Sequence, residues 1–237
     1  MLIQVPFTRC ADPLSFKMSA KETPQFSFQH FLILQSSAPM KLFDYLLEQP
    51  FLFNLSQIPF TTQKFARILK HNDLSQVRSV LDVGCGPGTN APSFSHAAYQ
   101  GIDINPRYIQ MARRHFGRDF VVADITKYQL ASRDPFDFIL INSFLHHIDS
   151  ASVHSVLAGS HRLLSHDGHV HSIEVVLPER RGIPYLLAKW DRGNFPRPQD
   201  EWRTLFETYF KTEVFEAFSI VHFGQPIMDF VYFKGRA

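Results

Sequence analysis

The stretch that decides the fold lies at residues 81–89 and reads Leu81-Asp82-Val83-Gly84-Cys85-Gly86-Pro87-Gly88-Thr89. Apolar residues lead into an acidic residue, and three glycines then follow at alternate positions. The pattern predicts a buried strand over Ser79 to Val83 that ends in a tight turn. Glycine permits positive φ and has no Cβ, so the backbone of this turn can lie directly against a ligand. In parallel α/β sheets ligands bind beyond the carboxyl ends of strands, which makes the turn a candidate ligand site.

The spacing of the glycines separates two classes of cofactor. Dinucleotide sites use G-x-G-x-x-G, in which amides and a helix N-terminus hold a pyrophosphate. This turn reads G-x-G-x-G, and Asp82 stands two positions before the first glycine. A carboxylate does not favour the binding of an anionic group such as a pyrophosphate. It suits a ligand with ammonium and hydroxyl groups, from which it can accept hydrogen bonds. The glycines alone are also compatible with an ordinary strand-to-helix turn.

Further segments read as short strands that end in acidic or polar residues, at 99–106, 120–126 and 136–148, the first with a helix start after it. After the first of these, Asn105 is a good N-cap and Pro106 fits a first helical turn. Asp103 could accept both hydroxyls of a ribose, although a helix-entry charge favoured by the helix dipole explains it as well. Asp124 could accept a hydrogen bond from an exocyclic amine, with Ile125 against a ring.

Together these segments resemble the class I S-adenosylmethionine-dependent methyltransferases, and the small-molecule branch more than the nucleic-acid branches. LDVGCGPGT is similar to the first motif of the family, GIDINP to its ribose-binding segment, ADIT to its adenine-binding segment and FDFILINSFLHHI to its fourth-strand motif. Residues 163–174 resemble the turn into a fifth strand. The resemblance extends from about Phe65 to the C-terminus. It is specific for fold and cofactor and nearly silent on the acceptor.

The resemblance implies an α/β, Rossmann-like class I methyltransferase fold, with a seven-stranded, mostly parallel sheet, an antiparallel last strand and helices on both faces. It implies S-adenosylmethionine as cofactor and S-adenosylhomocysteine as product. The residues implied to bind the cofactor are Asp82 at its ammonium group, Gly84, Cys85, Gly86 and Gly88 along the methionine moiety, Asp103 at the ribose, Ile104 and Ile125 around the adenine, Asp124 at the adenine amine, and Asn142, through its carbonyl, at the methionine end.

This sequence departs from the pattern of the family at two places. Pro92 falls in a short segment after Gly88, so we expect the first helix to be delayed or truncated. Asp167-Gly168 stands where many relatives have two glycines, a small change.

His146 and His147 follow the fourth predicted strand, where a general base could reach an acceptor hydroxyl. The family often carries such a pair as a structural feature, which is the favoured alternative. Other histidines cluster at 161–171, but they cross a helix end, a turn and a strand, and no zinc motif accompanies them. No metal is predicted.

The region 178–200 is predicted to be an insertion on the acceptor side. Tyr185 and Trp190 could shape a pocket there, and Arg192 and Arg197 could hold a carboxylate or phosphate. A solvated loop with a helical turn is an equally good interpretation of these residues.

Residues 1–39 are predicted to be an N-terminal extension, because they mix Phe, Pro and Ser without a clear period. The methyltransferase domain is predicted over 40–237, with an N-terminal helical cap at 40–75. The apolar run at 26–34 is too short to span a bilayer. We hypothesise that the extension covers the cofactor or makes a dimer contact; disorder, a swapped arm or an upstream start-codon assignment are alternatives.

Composition agrees with a globular enzyme: the 237 residues are 45% hydrophobic, with 24 basic and 22 acidic residues. No basic stripe interleaved with aromatics is present, which argues against a nucleic-acid partner. Cys10 and Cys85 are the only cysteines, so we expect a reducing, cytoplasmic compartment. We also expect a monomer or homodimer without stable membrane insertion. The predicted function is methyl transfer to a small molecule by in-line displacement. Alternatives are a non-catalytic S-adenosylmethionine/S-adenosylhomocysteine-binding domain and a nicotinamide-dependent oxidoreductase.

Overall fold

A computed structural model describes residues 50–129, 135–190 and 194–237, with side chains described from Thr61 onward. The predicted extension at 1–39, the start of the predicted helical cap at 40–49 and the candidate residue Arg192 lie outside the described residues. The predicted domain boundaries therefore stay predictions.

The sheet has seven strands. They are β1 (Ser79–Val83), β2 (Ala98–Asp103), β3 (Asp119–Val122), β4 (Phe136–Asn142), β5 (Leu164–Val175), β6 (Lys211–His222) and β7 (Gln225–Arg236). Their order is β3-β2-β1-β4-β5-β7-β6, with parallel pairing from β3 through β5 and antiparallel pairing of β7 with both neighbours. This confirms the predicted mostly parallel sheet with an antiparallel last strand.

The chain reverses its direction of travel across the sheet at β1. β2 pairs with one edge of β1, and β4 pairs with the other. The connections that leave the carboxyl ends of β1 and β4 therefore diverge, and open α/β sheets bind ligands in the crevice at such a switch point.

The described helices are α1 (Pro50–His71), α2 (Pro106–Phe116), α3 (Ser150–Leu163), α4 (Ile183–Trp190) and α5 (Gln199–Glu207). The start of α2 is as predicted: the Asn105 side chain accepts from the Arg107 amide, and Pro106 stands in the first turn. Asp149 caps α3 by accepting from the Ser152 amide. These caps satisfy amides that have no partner inside the helix.

The connection from β1 to β2 contains only a short 3-10 helix, Ala91–Phe94, with Pro92 at its start. The expected truncation of the first helix is therefore confirmed. Proline lacks an amide donor and its ring disfavours a helical conformation at the residue before it, so the segment turns back early into β2.

Helix α1 lies along β6 and runs antiparallel to it. Near the carboxyl end of β6, the Gln63 side chain exchanges two hydrogen bonds of 3.0 Å with the backbone of Val221. Further along α1, Lys70 and His71 lie 2.9 and 2.6 Å from the carboxylate of Glu216, in the middle of β6. Because β6 runs parallel to β5, the part of α1 around Gln63 lies at the carboxyl edge of the sheet.

The core consists of two clusters of buried side chains, one on each face of the sheet. Successive residues of the central strands alternate between them: Val80 belongs to one cluster and Leu81 to the other. A strand that is buried on both faces reads as a continuous apolar run, which is why the sequence identified β1 and β4 clearly.

Candidate functional site

A pocket of about 550 Å³ lies at the carboxyl ends of β1 and β2 and is bounded by the start of α3. This volume is in the range of small-molecule sites. Among the residues that line it are Gly84, Asp103, Ile104, Asp124, Ile125 and Phe144. The fold therefore brings five of the predicted cofactor residues to one pocket.

Two backbone amides hold the carboxylate of Asp103. Its Oδ2 accepts from the Gly86 amide at 3.0 Å, and its Oδ1 accepts from the Asn105 amide at 2.7 Å. An ionised carboxylate offers about four acceptor positions, so Asp103 can accept further hydrogen bonds from a ligand in the pocket.

The adjoining wall of the pocket combines a second carboxylate with apolar side chains. Asp124 Oδ1 accepts from the amide and hydroxyl of Thr126 at 2.9 and 2.7 Å, and these hydrogen bonds hold the pKa of Asp124 below its ordinary value. Ile104 is 75% exposed, whereas Ile125 is buried. An exposed isoleucine beside a pocket offers an apolar face to a planar ligand.

The glycines of the turn after β1 take left-handed conformations, with φ of 67° at Gly84, 54° at Gly86 and 85° at Gly88. A Cβ at Gly84 would lie 2.6 Å from the Phe144 ring, whereas a Cβ at Gly86 would meet nothing within 4 Å. Gly84 therefore permits close packing of the turn on the segment after β4. Cys85 is buried beside it, and burial raises the pKa of its thiol, so Cys85 is a packing residue.

Asp82 lies behind this turn and is fully buried. Its Oδ2 accepts from the Tyr99 hydroxyl at 2.6 Å and from Asn90 Nδ2 at 3.1 Å. Burial raises the pKa of Asp82 to about 6, because a carboxylate loses its hydration when it leaves water. Because Asp82 is fully buried, a ligand would contact it through Asn90 or water, and direct contact would require neighbouring atoms to move.

A chain of hydrogen bonds connects Asp82 to the other side of the site. Asn142 Nδ2 donates to Asn90 Oδ1 at 3.2 Å, and Asn142 Oδ1 accepts from the Ser143 hydroxyl at 3.1 Å. The Ser143 hydroxyl in turn accepts from Lys64 Nζ at 3.0 Å. Ser143 has a φ of 58°, a costly conformation for a residue other than glycine and one that clusters at functional sites. Sequence reasoning missed Asn90, Ser143 and Lys64.

Comparison with known proteins agrees with this geometry. Residues 80–168 match the family model for a methyltransferase domain. This segment is similar to a methyltransferase domain, and the chain has the Rossmann-like fold of the class I methyltransferases. The family match argues against the nicotinamide alternative. No curated protein matches the chain in sequence.

Solved structures of methyltransferases share the fold at low identity. The N-methyltransferase NodS from Bradyrhizobium japonicum WM9, in complex with S-adenosylhomocysteine, is 16% identical over 83% of this chain and 96% of its own, with a TM-score of 0.62. A methyltransferase from Methanosarcina mazei is 19% identical over 72% and 96%, with a TM-score of 0.57. The mitomycin 7-O-methyltransferase MmcR is 18% identical over 82% and 60%, with a TM-score of 0.60.

The two candidate catalytic histidines of the methyltransferase domain have different environments. His146 is buried, with Nδ1 2.8 Å from Glu174 Oε2, and the other oxygen of Glu174 accepts from the Phe144 and Leu145 amides. This arrangement favours the structural interpretation of His146, which fixes the segment after β4. His147 is exposed, and its ring lies 4.1 Å from that of His146.

Arg197 is buried rather than exposed to an acceptor. Its five N–H donors match five internal contacts: with the carbonyl oxygens of Leu145, Phe195 and Ile148, the Ser150 hydroxyl and the Glu201 carboxylate, at 2.9–3.3 Å. A guanidinium group has five donors, so none is left for a carboxylate or phosphate. The predicted anion-binding role is therefore replaced by a structural one, which joins the segment after β4 to the start of α5.

The other described acceptor candidates lie on α4, where Tyr185 is half-buried and Trp190 is 74% exposed. Over the described ranges, no three His, Cys, Asp or Glu side chains lie close enough together to hold a metal ion. None of the helices described is both long and apolar enough to cross a membrane.

Proposed function

We propose that this enzyme transfers the methyl group of S-adenosylmethionine to a small-molecule acceptor by in-line displacement. One observation carries the proposal: the 550 Å³ pocket presents the oriented carboxylate of Asp103 beside the exposed side chain of Ile104. A carboxylate suits the two hydroxyls of a ribose, and an apolar side chain suits the face of an adenine.

The groups around the pocket fit the cofactor from end to end. Ile104 and Ile125 would hold the adenine, with Asp124 at its amino group. Asp103 would accept from the ribose. The methionine end would lie along the backbone of the glycine turn, within reach of Asn142 and, through Asn90 or water, of Asp82. The residues of the turn that would line it are Gly84, Cys85, Gly86 and Gly88.

When bound, S-adenosylmethionine supplies a methyl group that its sulfonium already activates. In the transfer, the acceptor nucleophile bonds to the methyl carbon while the carbon–sulfur bond breaks, and its electron pair stays on sulfur. The protein mainly aligns the reacting atoms, and orientation of this kind is worth up to roughly 7–11 kcal/mol. If an acceptor hydroxyl needs a base, His147 is the better placed of the two histidines, because His146 is buried against Glu174.

A second cavity, of about 450 Å³, supports a small acceptor. It lies where β5 ends and is bounded by β6, β7 and the start of α5, with Leu177, Phe218 and Phe230 among its lining residues. These parts of the strands belong to the same carboxyl edge of the sheet as the cofactor pocket. Tyr185 and Trp190 on α4 would shape the acceptor side. A relative of the same fold, MmcR, methylates an oxygen of the small molecule mitomycin, as its name states.

The finer parts of the proposal concern the surroundings of the enzyme. A reducing, cytoplasmic compartment fits a chain with two cysteines, of which Cys85 is a buried thiol. A near-neutral formal charge of +2 fits a small-molecule rather than a nucleic-acid partner.

Isothermal titration calorimetry with S-adenosylhomocysteine tests the cofactor site. We expect the wild-type protein to bind S-adenosylhomocysteine and not to bind NADH. The Asp103→Ala protein should bind S-adenosylhomocysteine at least tenfold more weakly, because hydrogen bonds to a charged acceptor are worth roughly 1.5–3 kcal/mol each. Asp167→Ala, at a carboxylate that is 97% exposed, should bind like the wild type. An unchanged affinity in a folded Asp103→Ala protein would refute the ribose assignment.

A further inference from the structure

Lys64 of α1 contacts one residue that adjoins the lining of the cofactor pocket and another that lines the second cavity. Its Nζ donates to the Ser143 hydroxyl at 3.0 Å and stands 4.7 Å from the centroid of the Phe230 ring. Ser143 directly follows the last residue of β4, and Phe230 lines the second cavity. Phe144, the residue after Ser143, lines the cofactor pocket, so the two contacts of the ammonium group point toward both cavities.

The position of Lys64 is fixed by regular structure. Gln63, the preceding residue, is bound at both its amide nitrogen and its amide oxygen to the backbone of Val221, and the next turns of α1 are bound to Glu216. A charged group on a helix that is tied to a sheet keeps its position more closely than one on a loop.

Lys64 also belongs to the hydrogen-bonded chain that includes Asp82, Asn90, Asn142 and Ser143. Ser143, its direct partner, keeps a φ of 58°, which places the hydroxyl between the ammonium group and Asn142. A positive φ of this kind is strained for a residue other than glycine. A position that serves packing alone does not need a strained serine to orient a lysine.

We infer that Lys64 is a catalytic residue that holds the nucleophilic oxygen of the acceptor as its anion, so that the acceptors are compounds with an acidic hydroxyl, such as phenols and enols. The inference rests on the proposed function. The hydroxyl proton leaves to solvent, the oxygen bonds to the methyl carbon, and the electron pair of the broken bond stays on sulfur; Lys64 remains protonated.

The charges around this position narrow the acceptor class. Three carboxylates, of Glu179, Asp200 and Asp229, line the second cavity, and Asp229 accepts from the Ser219 hydroxyl at 2.6 Å. On the neighbouring strands, Glu216 is paired with α1, and Glu174 is paired with a buried histidine. These acidic groups repel an acceptor that carries several negative charges. The acceptor therefore has a single ionisable hydroxyl, whose charge Lys64 would hold.

The test measures the ionisation of para-nitrophenol in the presence of the full-length protein saturated with S-adenosylhomocysteine. The phenolate form absorbs visible light, so its apparent pKa can be read from absorbance. An opposite charge within about 4–6 Å lowers a pKa by roughly 1–3 units, and we expect a shift of at least about 1 unit with the wild-type protein. Lys64→Met should abolish the shift and Lys64→Arg should retain part of it. Lys70→Met is the matched control, because Lys70 lies on the same helix and pairs with Glu216; it should leave the shift unchanged.

Calorimetry of S-adenosylhomocysteine on the same proteins separates the two levels of the inference. Equal affinity in the wild type and both Lys64 variants, with loss of the nitrophenol shift only in Lys64→Met, supports the role of Lys64. Normal cofactor binding without a nitrophenol shift in the wild type, or with the same shift in Lys64→Met, overturns that role and leaves the proposed function standing. No cofactor binding by the folded wild type overturns both.

Discussion

Replacing Asp82 with asparagine is expected to remove a pH dependence of stability. In the folded chain, burial raises the pKa of Asp82 to about 6 from its ordinary value of 3.8. The folded protein therefore binds this proton more tightly than the unfolded protein does. The resulting stabilisation is fully present below about pH 4 and is lost as the pH rises through about 6. A shift of about 2 units, at ~1.4 kcal/mol per unit, corresponds to roughly 3 kcal/mol.

The difference between the variant and the wild type isolates this effect. Other carboxyl groups, including those of Asp124 and Asp149, have lowered pKa values, so they stabilise the fold as the pH rises and oppose Asp82 in the wild-type profile. They are present in both proteins and cancel in the comparison. Between about pH 4 and pH 7, the free energy of unfolding of Asp82→Asn should gain roughly 3 kcal/mol relative to the wild type.

Urea denaturation followed by circular dichroism, repeated across this pH range, measures the difference. Asp167→Asn, at an exposed carboxylate, should give a flat difference. Tyr99→Phe should move the Asp82 transition to higher pH, because the Tyr99 hydroxyl bond opposes the rise in the pKa of Asp82. A difference between Asp82→Asn and the wild type that is constant with pH would refute the reasoning.

Two further substitutions test the packing around the site. Arg197→Met should lower the free energy of unfolding by roughly 3 kcal/mol, because it leaves buried oxygens without donors. Arg203→Met, at a partly exposed i,i+4 pair, should change the free energy of unfolding by less than about 1 kcal/mol. Equal effects of the two substitutions would contradict the structural role of Arg197. Gly84→Ala should be more destabilising than Gly86→Ala in thermal denaturation, because both have positive φ but only at Gly84 would the added Cβ meet Phe144; similar losses would show that the contact can relax.

The parts of the fold that the sequence could predict are those set by local patterns. Strand β1 has the bounds that were predicted, and Asn105 and Pro106 begin α2 as expected. Turns, caps and continuous apolar runs depend on neighbouring residues, so a single sequence contains the information. The positions of Asp103 and Asp124 could be read for the same reason, because Asp103 is the last residue of β2 and Asp124 lies two residues after β3.

The parts that could not be predicted depend on contacts between distant segments. Lys64 lies 79 positions from Ser143 in sequence, and nothing in the composition of α1 marks it as different from Lys70. Arg197 looked like an anion-binding residue because the sequence does not show which acceptors surround it. In the structure, the segment after β4 supplies carbonyl oxygens to its donors, and this tertiary pairing changed its role.

The hydrogen-bonded chain from Asp82 to Lys64 also links the two halves of the proposed reaction. Its members come from β1, the turn before β2, the end of β4 and α1, so the cofactor side and the acceptor side share one polar network. The short 3-10 connection is part of this arrangement, because Asn90 immediately precedes it and donates to Asp82. A change in the charge at Asp82 would therefore act first on Asn90 and Asn142, and through Ser143 on the position of the ammonium group. Interacting networks of this kind are apportioned by double-mutant cycles, and an Asn90→Ala/Lys64→Met cycle on the nitrophenol shift is the corresponding measurement.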